Sequence, residues 1–353
     1  MTGPEQTLTF HTAIAEPDPK GGALRYRGVD VATLIDRIPY EAVWGLLVDN
    51  AREPGLPPAE PFPLPARTGD MRVDIQSALA QLAPVWAFRP LLDIDLAQAR
   101  DDLARASVMT LSFVAQSARG EDLPAVPQRE IDRAPSIVDK FLTRWRGEVD
   151  PRAARALDAY WVAIAEHGMA PSTLAARVIA ATGADVAACL SGAVAAISGP
   201  LHGGAQARVL TLLDRAVELD NPRAAVTEVL DANRRLMGFG HRVYRATDPR
   251  ATVLKEVCRK LAAPRFDVAA EVEAVALTEL AERSPNRVLA TNVDFWAAVL
   301  LDILNVPRAM FTSLFACGRA AGWAAHILEQ KSERFIRPAA HYTGPEARNF
   351  EDV

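Results

Sequence analysis

The chain has few of the groups that hold disulfide-built or metal-built proteins together. Its three cysteines, Cys189, Cys258 and Cys317, are widely spaced among small or apolar neighbours. An odd number cannot all pair, and no C-x2-C spacing occurs, so we expect reduced, buried thiols rather than a disulfide framework or a zinc site. Aromatic residues are scarce at 7% of the sequence, whereas alanine and leucine fill much of the apolar half. That balance favours helix over sheet. Positive charge is not in excess: the net charge of −5 argues against nucleic acid as the main partner. No apolar run is long enough to span a membrane, since the stretch 184–197 is short and carries Asp185 and Ser191. Met1-Thr2-Gly3-Pro4-Glu5 lacks the basic and apolar regions of a signal peptide. These absences lead to the expectation of a soluble cytoplasmic protein.

Several signatures of catalysis are missing too. There is no G-x-x-x-x-G-K-[ST], no dinucleotide-type G-x-G-x-x-G after a strand, no G-x-S-x-G and no H-E-x-x-H. Nothing in the spacing of the histidines asks for a metal.

Helical periodicity dominates the rest of the chain. Residues 1 to about 30 read as extended or turn structure, and Asp30 is placed to cap a helix containing Val31, Leu34 and Ile35. Helical patterns occur at 40–47, 73–82 and 95–117, and the six prolines of 54–65 make that segment a rigid connection. Leu157, Tyr160, Trp161 and Ile164 recur at helical spacing and predict one buried face, ending at His167-Gly168. Pro171 suits the first turn of the next helix. Residues 184–197 are so rich in alanine that neighbouring helices could pack very close. The stretches 205–235 and 251–284 read as exposed amphipathic helices, 292–303 and 311–330 as apolar ones, and Arg337-Pro338 opens an irregular tail. Strand alternation is confined to short pieces, so the fold class is all-α. The length of 353 residues suits a large domain plus a second one.

The chain contains only six histidines, and three of them, in His167-Gly168, His202-Gly203-Gly204 and Gly238-Phe239-Gly240-His241, adjoin glycine. Imidazole exchanges a proton near neutral pH, and glycine lets a backbone approach a ligand closely. Each of these stretches could equally be punctuation between helices. Arg242, Arg245 and Arg250 come within nine residues after His241, and guanidinium meets carboxylate or phosphate bidentately. A solvated face would show the same charge run. Asp294, between Val293 and Phe295-Trp296, is either a helix cap or arginine partner, or a base whose pKa a partly apolar pocket raises. Arg319 lies in a helical stretch of small and apolar residues, where burial demands an anion from the protein or from a substrate. Arg337 alone reads as a surface residue.

Taken in order, these motifs resemble those of the citrate synthase family. Leu24-Arg25-Tyr26-Arg27-Gly28 looks like its N-terminal signature, and Ala165-Glu166-His167, Gly199-Pro200-Leu201-His202-Gly203-Gly204 and the stretch Met237 to Tyr244 come next. Then come Asp248-Pro249-Arg250, Asn292-Val293-Asp294-Phe295, Gly318-Arg319 with Gly322-Trp323, and Arg337-Pro338 with Tyr342-Thr343-Gly344. The resemblance implies a two-domain helical homodimer, with a large domain over 1–202 and 306–353 and a small one over 203–305. It implies condensation of acetyl-CoA with oxaloacetate without a metal or other resident cofactor, acetyl-CoA being a substrate. In that scheme Asp294 is the base, His202 donates to the thioester oxygen and His241 to the ketone. His167, Arg250 and Arg319 hold carboxylates, joined by Arg337 of the other subunit. Arg245 meets a CoA phosphate, and Leu236, Met237, Gly238 and Gly240 belong to the loop around its adenine. A 2-methylcitrate synthase using propionyl-CoA would need the same residues, and a non-catalytic homologue would bind the same ligands.

Two departures stand out. The family often has Asn three residues after the first histidine, where this chain has Ala170 and then Pro171; and it commonly has Tyr-Pro where Ala290-Thr291 stand here. The first removes a polar side chain near His167. All matched imidazole, carboxylate and guanidinium positions are filled, so an active enzyme is expected.

Overall fold

The computed structural model describes residues 9–18, 20, 22–199, 202–241, 243–244 and 246–349. Helices dominate: α1 (Tyr40–Asp49), α2 (Met71–Val85), α3 (Leu96–Arg119), α4 (Gln128–Arg133), α5 (Ile137–Arg146), α6 (Pro151–Ile164) and α7 (Pro171–Ala181). The chain continues with α8 (Val186–Ile197), α9 (Ala205–Glu218), α10 (Pro222–Asp231), α11 (Pro249–Lys260), α12 (Phe266–Arg283), α13 (Val293–Ile303) and α14 (Phe311–Lys331). Three short antiparallel strands precede them in the order β1 (Ala15–Pro17), β2 (Leu24–Tyr26), β3 (Val29–Asp30), with Ala15 opposite Tyr26 and Arg25 opposite Asp30. The class is all-α, and all three cysteines are free and buried.

Local chemistry explains most boundaries. Asp70, Asp95, Ser136, Asp150, Asp185 and Asn221 each accept a backbone N–H in the first turn of the next helix, which satisfies a donor the helix itself cannot. Asp30 also caps, but the element it starts is a single 3-10 turn (Val31–Thr33), not a full helix. The two long amphipathic stretches each break once. Asp220 takes φ +47° ahead of the Asn221-Pro222 start of α10, and Ala262 takes φ +47° between α11 and α12. Hydrophobic period alone runs through both breaks and hides them. The proline-rich segment 54–65 forms no regular element.

The long helix α14 is buried over most of its length and packs against α1, α3, α6, α7 and α8. Close approach depends on glycine. A Cβ on Gly318 would sit 2.8 Å from the Ile164 side chain, and one on Gly322 would sit 2.5 Å from the Ala165 carbonyl. Likewise a Cβ on Gly192 of the alanine-rich α8 would collide with the Ile179 side chain of α7. Helices α9, α10, α12 and α13 pack on one another, and α11 and α13 rest on α6. The C-terminus of α6, which leads into His167, therefore lies between α14 on one side and α11 and α13 on the other.

Candidate active site

The two stretches that lead into His241 and Asp294 are tied together. Gly240 N–H donates to the Ala290 carbonyl at 2.7 Å, Asn292 N–H to the Gly238 carbonyl at 2.9 Å, and Asn292 Nδ2 to the Gly240 carbonyl at 2.9 Å. Phe239 and Thr291 form an isolated antiparallel bridge. Gly238 and Gly240 hold φ of +88° and +78°, a region strained for any side chain. The Asn292 side chain also accepts the Asp294 N–H at 3.0 Å, so Asn292 caps α13 and Asp294 lies in its first turn, where the positive end of the helix favours a carboxylate.

The three glycine-adjacent imidazoles meet different partners. His241 Nδ1 accepts the N–H groups of Val243 at 3.0 Å and Tyr244 at 3.1 Å. A nitrogen that accepts twice carries no proton, so the proton of neutral His241 is on Nε2. His167 Nε2 lies 3.0 Å from the Tyr244 hydroxyl, and its ring centroid is 4.8 Å from that of His241. His202 Nε2 lies 2.9 Å from Ser172 Oγ, which accepts Trp323 Nε1–H at 3.2 Å. Burial pushes all three imidazoles toward the neutral form. His202 is lowered to about 4 by burial and then by Arg319, and His241 to about 4 by burial and then by Arg250. His167 is lowered well below its usual value by burial, with Arg250, His241 and Arg319 adding to it.

Two buried guanidiniums face this cluster. Arg250, 2% exposed, grips Asp248 with Nε at 3.0 Å and Nη2 at 2.8 Å. Asp248 caps α11 and also accepts the Val293 N–H at 3.1 Å, joining the starts of α11 and α13. Burial would lower the Arg250 pKa, but the Asp248 ion pair overcomes it and raises it. Among the described residues three of its five N–H bonds remain for another anion. Arg319, also 2% exposed, donates Nε–H to the Ile164 carbonyl at 2.7 Å and lies over Phe315 at 4.9 Å. Among the described residues it makes no ion pair, and burial lowers its pKa, with Glu166 opposing. A buried guanidinium without a counter-ion is poised to take a ligand carboxylate.

Asp294 Oδ1 accepts Gln206 Nε2–H at 3.2 Å, and Gln206 Oε1 in turn accepts the Tyr160 hydroxyl at 3.0 Å. Burial raises the Asp294 pKa, while Gln206, Arg250 and Arg319 lower it and Asp248 raises it. A carboxylate so placed is a stronger base than one in water. Among the described residues no group of three or more His, Cys, Asp or Glu side chains could hold a metal ion.

The structure thus brings His167, His202, His241, Arg250, Arg319 and Asp294 into one connected neighbourhood. Leu236, Met237 and His202, with Arg208, Arg215 and Arg234, line a cleft of about 740 Å³. Gly240 and His241 open on a second cleft of about 940 Å³ beside Asn233, Arg235 and Arg287. Gly238 is packed against Phe295. Arg245, with Arg242, lies outside the described residues. Arg337 is exposed in the tail, its guanidinium 5.3 Å from the Phe335 ring centroid. No hydrogen bond or ion pair joins it to the cluster among the described residues. Tyr244, Ser172, Gln206 and the anchoring role of Asp248 did not emerge from the sequence. Their signal was proximity: Tyr244 ends the His241 motif, Asp248 precedes Arg250, Gln206 lies one helical turn past His202, and Ser172 comes directly after Ala170-Pro171.

Neutral imidazoles, one raised carboxylate and two buried guanidiniums at converging helix ends are the equipment of an enzyme. The family model described as citrate synthase, C-terminal domain, matches residues 3–339. A Mycobacterium tuberculosis protein provisionally named citrate synthase 2 is 59% identical over 355 residues, covering 100% of this chain and 95% of that protein. The citrate synthase of Synechocystis is 31% identical over 360 residues, covering 94% of this chain and 87% of its own. Among solved structures, citrate synthase from Thermotoga maritima superposes with a TM-score of 0.75 at 28% identity, covering 99% of this chain and 97% of that one. The Thermoplasma acidophilum enzyme, solved as a ternary complex with carboxymethyl coenzyme A and oxaloacetate, shares the fold with a TM-score of 0.80 at 24% identity, covering 98% and 96%. This chain belongs to the citrate synthase family.

Proposed function

We propose that this protein condenses acetyl-CoA with oxaloacetate and then hydrolyses the citryl thioester to give citrate and CoA. The observation that carries the reading is that three imidazoles held neutral and the Asp294 carboxylate share the buried Arg250 and Arg319 as electrostatic neighbours. Asp294 takes a proton from the acetyl methyl group. The electron pair moves onto the thioester oxygen, where His202 donates a hydrogen bond as charge develops. That role needs the tautomer protonated on Nδ1, the one in which Ser172 donates its hydroxyl proton to Nε2. The enolate carbon attacks the ketone carbon of oxaloacetate, while His241 Nε2–H donates a hydrogen bond to the ketone oxygen as the C=O electron pair moves onto it. Water then adds to the citryl thioester, and the C–S bond breaks to release CoA.

Arg250, Arg319 and His167 hold the oxaloacetate carboxylates, and Arg337 reaches the site of the other subunit of a homodimer. Residues 203–305 form the small domain that closes over the substrates. CoA lies along Leu236, Met237, Gly238 and Gly240, with Arg245 at a phosphate, and no metal or other resident cofactor takes part. Among the described residues no helix is long and apolar enough to cross a membrane; our reading of the enzyme is cytoplasmic. Release of CoA thiol, measured in parallel with acetyl-CoA and propionyl-CoA, tests the assignment. Preference for acetyl-CoA is expected; equal or reversed efficiency would instead make it a 2-methylcitrate synthase. Asp294→Asn is expected to abolish turnover while oxaloacetate still binds, and full activity in that variant would remove Asp294 as the base.

A further inference from the structure

A buried polar chain runs from α6 through α9 to the start of α13. Tyr160 is fully buried and Gln206 is 1% exposed. Burying an amide is costly unless both of its ends are bonded. Both are: Oε1 accepts the Tyr160 hydroxyl at 3.0 Å, and Nε2 donates to Asp294 Oδ1 at 3.2 Å.

The direction of this chain is fixed by chemistry. A tyrosine hydroxyl can donate or accept, so it accommodates either end of an amide. An ionised carboxylate has no proton to give, and only the NH2 end of Gln206 fits against Asp294. Oε1 must then face Tyr160, which makes the tyrosine the donor. Tyr160 belongs to α6, the helix that leads into His167, whereas Asp294 lies in the first turn of α13. The chain therefore sets the carboxylate in register with the helix that leads into one of the substrate-binding imidazoles.

We propose that Gln206 is a positioning residue that aims and tunes the Asp294 carboxylate, and that Tyr160 locks the amide in the required orientation. The proposal rests on Asp294 being the base. The groups facing Asp294 come from four elements: Gln206 on α9, Tyr160 on α6, Asp248 and Arg250 at the start of α11, and Arg319 on α14. Among them Gln206 is the one hydrogen-bonded to the carboxylate, and its donation favours the charged form.

The test is the pH dependence of kcat/KM for acetyl-CoA at saturating oxaloacetate, in the full chain. Gln206→Leu is expected to move the acidic limb upward by about one pH unit, the size of a lost hydrogen bond to a charged group. The KM for oxaloacetate should stay within about twofold. Tyr160→Phe should move the limb in the same direction by less, because the amide remains but is free to turn. A Gln206→Leu limb that coincides with wild type overturns the proposal, as does an effect confined to the oxaloacetate KM. Should Gln206→Leu fail to fold, Gln206→Glu keeps the shape and sets a second carboxylate against Asp294. Its limb must then rise further than one hydrogen bond accounts for, and an unmoved limb is equally fatal. Turnover in Asp294→Asn would sink the base assignment itself; loss of turnover there with unmoved Gln206 limbs sinks this proposal alone.

Discussion

The hydroxyl of Tyr244 meets Nε2 of His167 at 3.0 Å, and it supplies a polar neighbour that Ala170 and Pro171 cannot. Tyr244 is 1% exposed and its ring also lies against that of His241, with centroids 4.6 Å apart. One side chain thus orients two imidazoles of the cluster.

Tyr244→Phe keeps the ring and removes the bond. We expect the Kd for oxaloacetate to rise about five- to tenfold, the worth of one buried hydrogen bond. The kcat should change less, because Tyr244 orients a binding imidazole and takes no part in the bonds made or broken in the proposed reaction. Calorimetric titration with oxaloacetate checks this, and an unchanged Kd would mean that His167 is oriented by other groups.

Asp248 holds Arg250 bidentately and anchors the first turn of α13. Removing it strands a buried guanidinium. Asp248→Ala is expected to cost about 3–5 kcal/mol of stability, as breaking other buried pairs does. Asp248→Asn, which keeps one acceptor, should cost less. Urea denaturation at neutral pH measures both, and a loss below about 1 kcal/mol in the alanine variant would show Arg250 to be solvated rather than paired.

Contacts such as these lie beyond what a linear sequence displays. The face of α6 was legible because Leu157, Tyr160, Trp161 and Ile164 recur at helical spacing, and all four are buried. The histidine and arginine motifs were legible because glycine and proline punctuate them. Helical period cannot show which side chains bond across the fold, and Gln206 and Asp294 are 88 positions apart. The breaks at Asp220 and Ala262 were hidden for a different reason. The amphipathic pattern continues on both sides, although the Asn221-Pro222 pair that caps α10 was there to be read.

Neutral burial of the imidazoles makes stability depend on acid. His202 and His241 have folded values of about 4 against an ordinary 6.5. Between those values the unfolded chain binds more protons than the folded one, so stability falls as pH drops from about 6.5 toward 4. Each group contributes no more than about 1.4 kcal/mol per pH unit within that window. His241→Gln removes one of them, and its stability should decline less steeply than wild type between pH 6.5 and 4. Denaturation midpoints across that range test this, and parallel curves would place His241 in contact with solvent protons in the folded state.

Asp158 should show the opposite sign. Its Oδ1 accepts the Tyr40 N–H at 2.9 Å at the start of α1. Burial raises its pKa from 3.8 to about 7, the Tyr40 bond opposes this, and Glu41, Asp36 and Asp139 add repulsion. Between pH 3.8 and 7 the folded chain holds a proton here that the unfolded chain has released, so this group withdraws stability as pH rises. Asp158→Asn retains an oxygen for Tyr40 N–H and has no charge to bury. The stability of the variant relative to wild type should therefore grow from pH 4 to pH 7 and level off above it. The same helix start connects to the site, because the Tyr40 hydroxyl donates to the Cys317 carbonyl at 2.7 Å, two residues from Arg319. A pH-independent difference between Asp158→Asn and wild type would mean that Asp158 stays ionised in the fold, and that the repulsion from Glu41, Asp36 and Asp139 is screened by water.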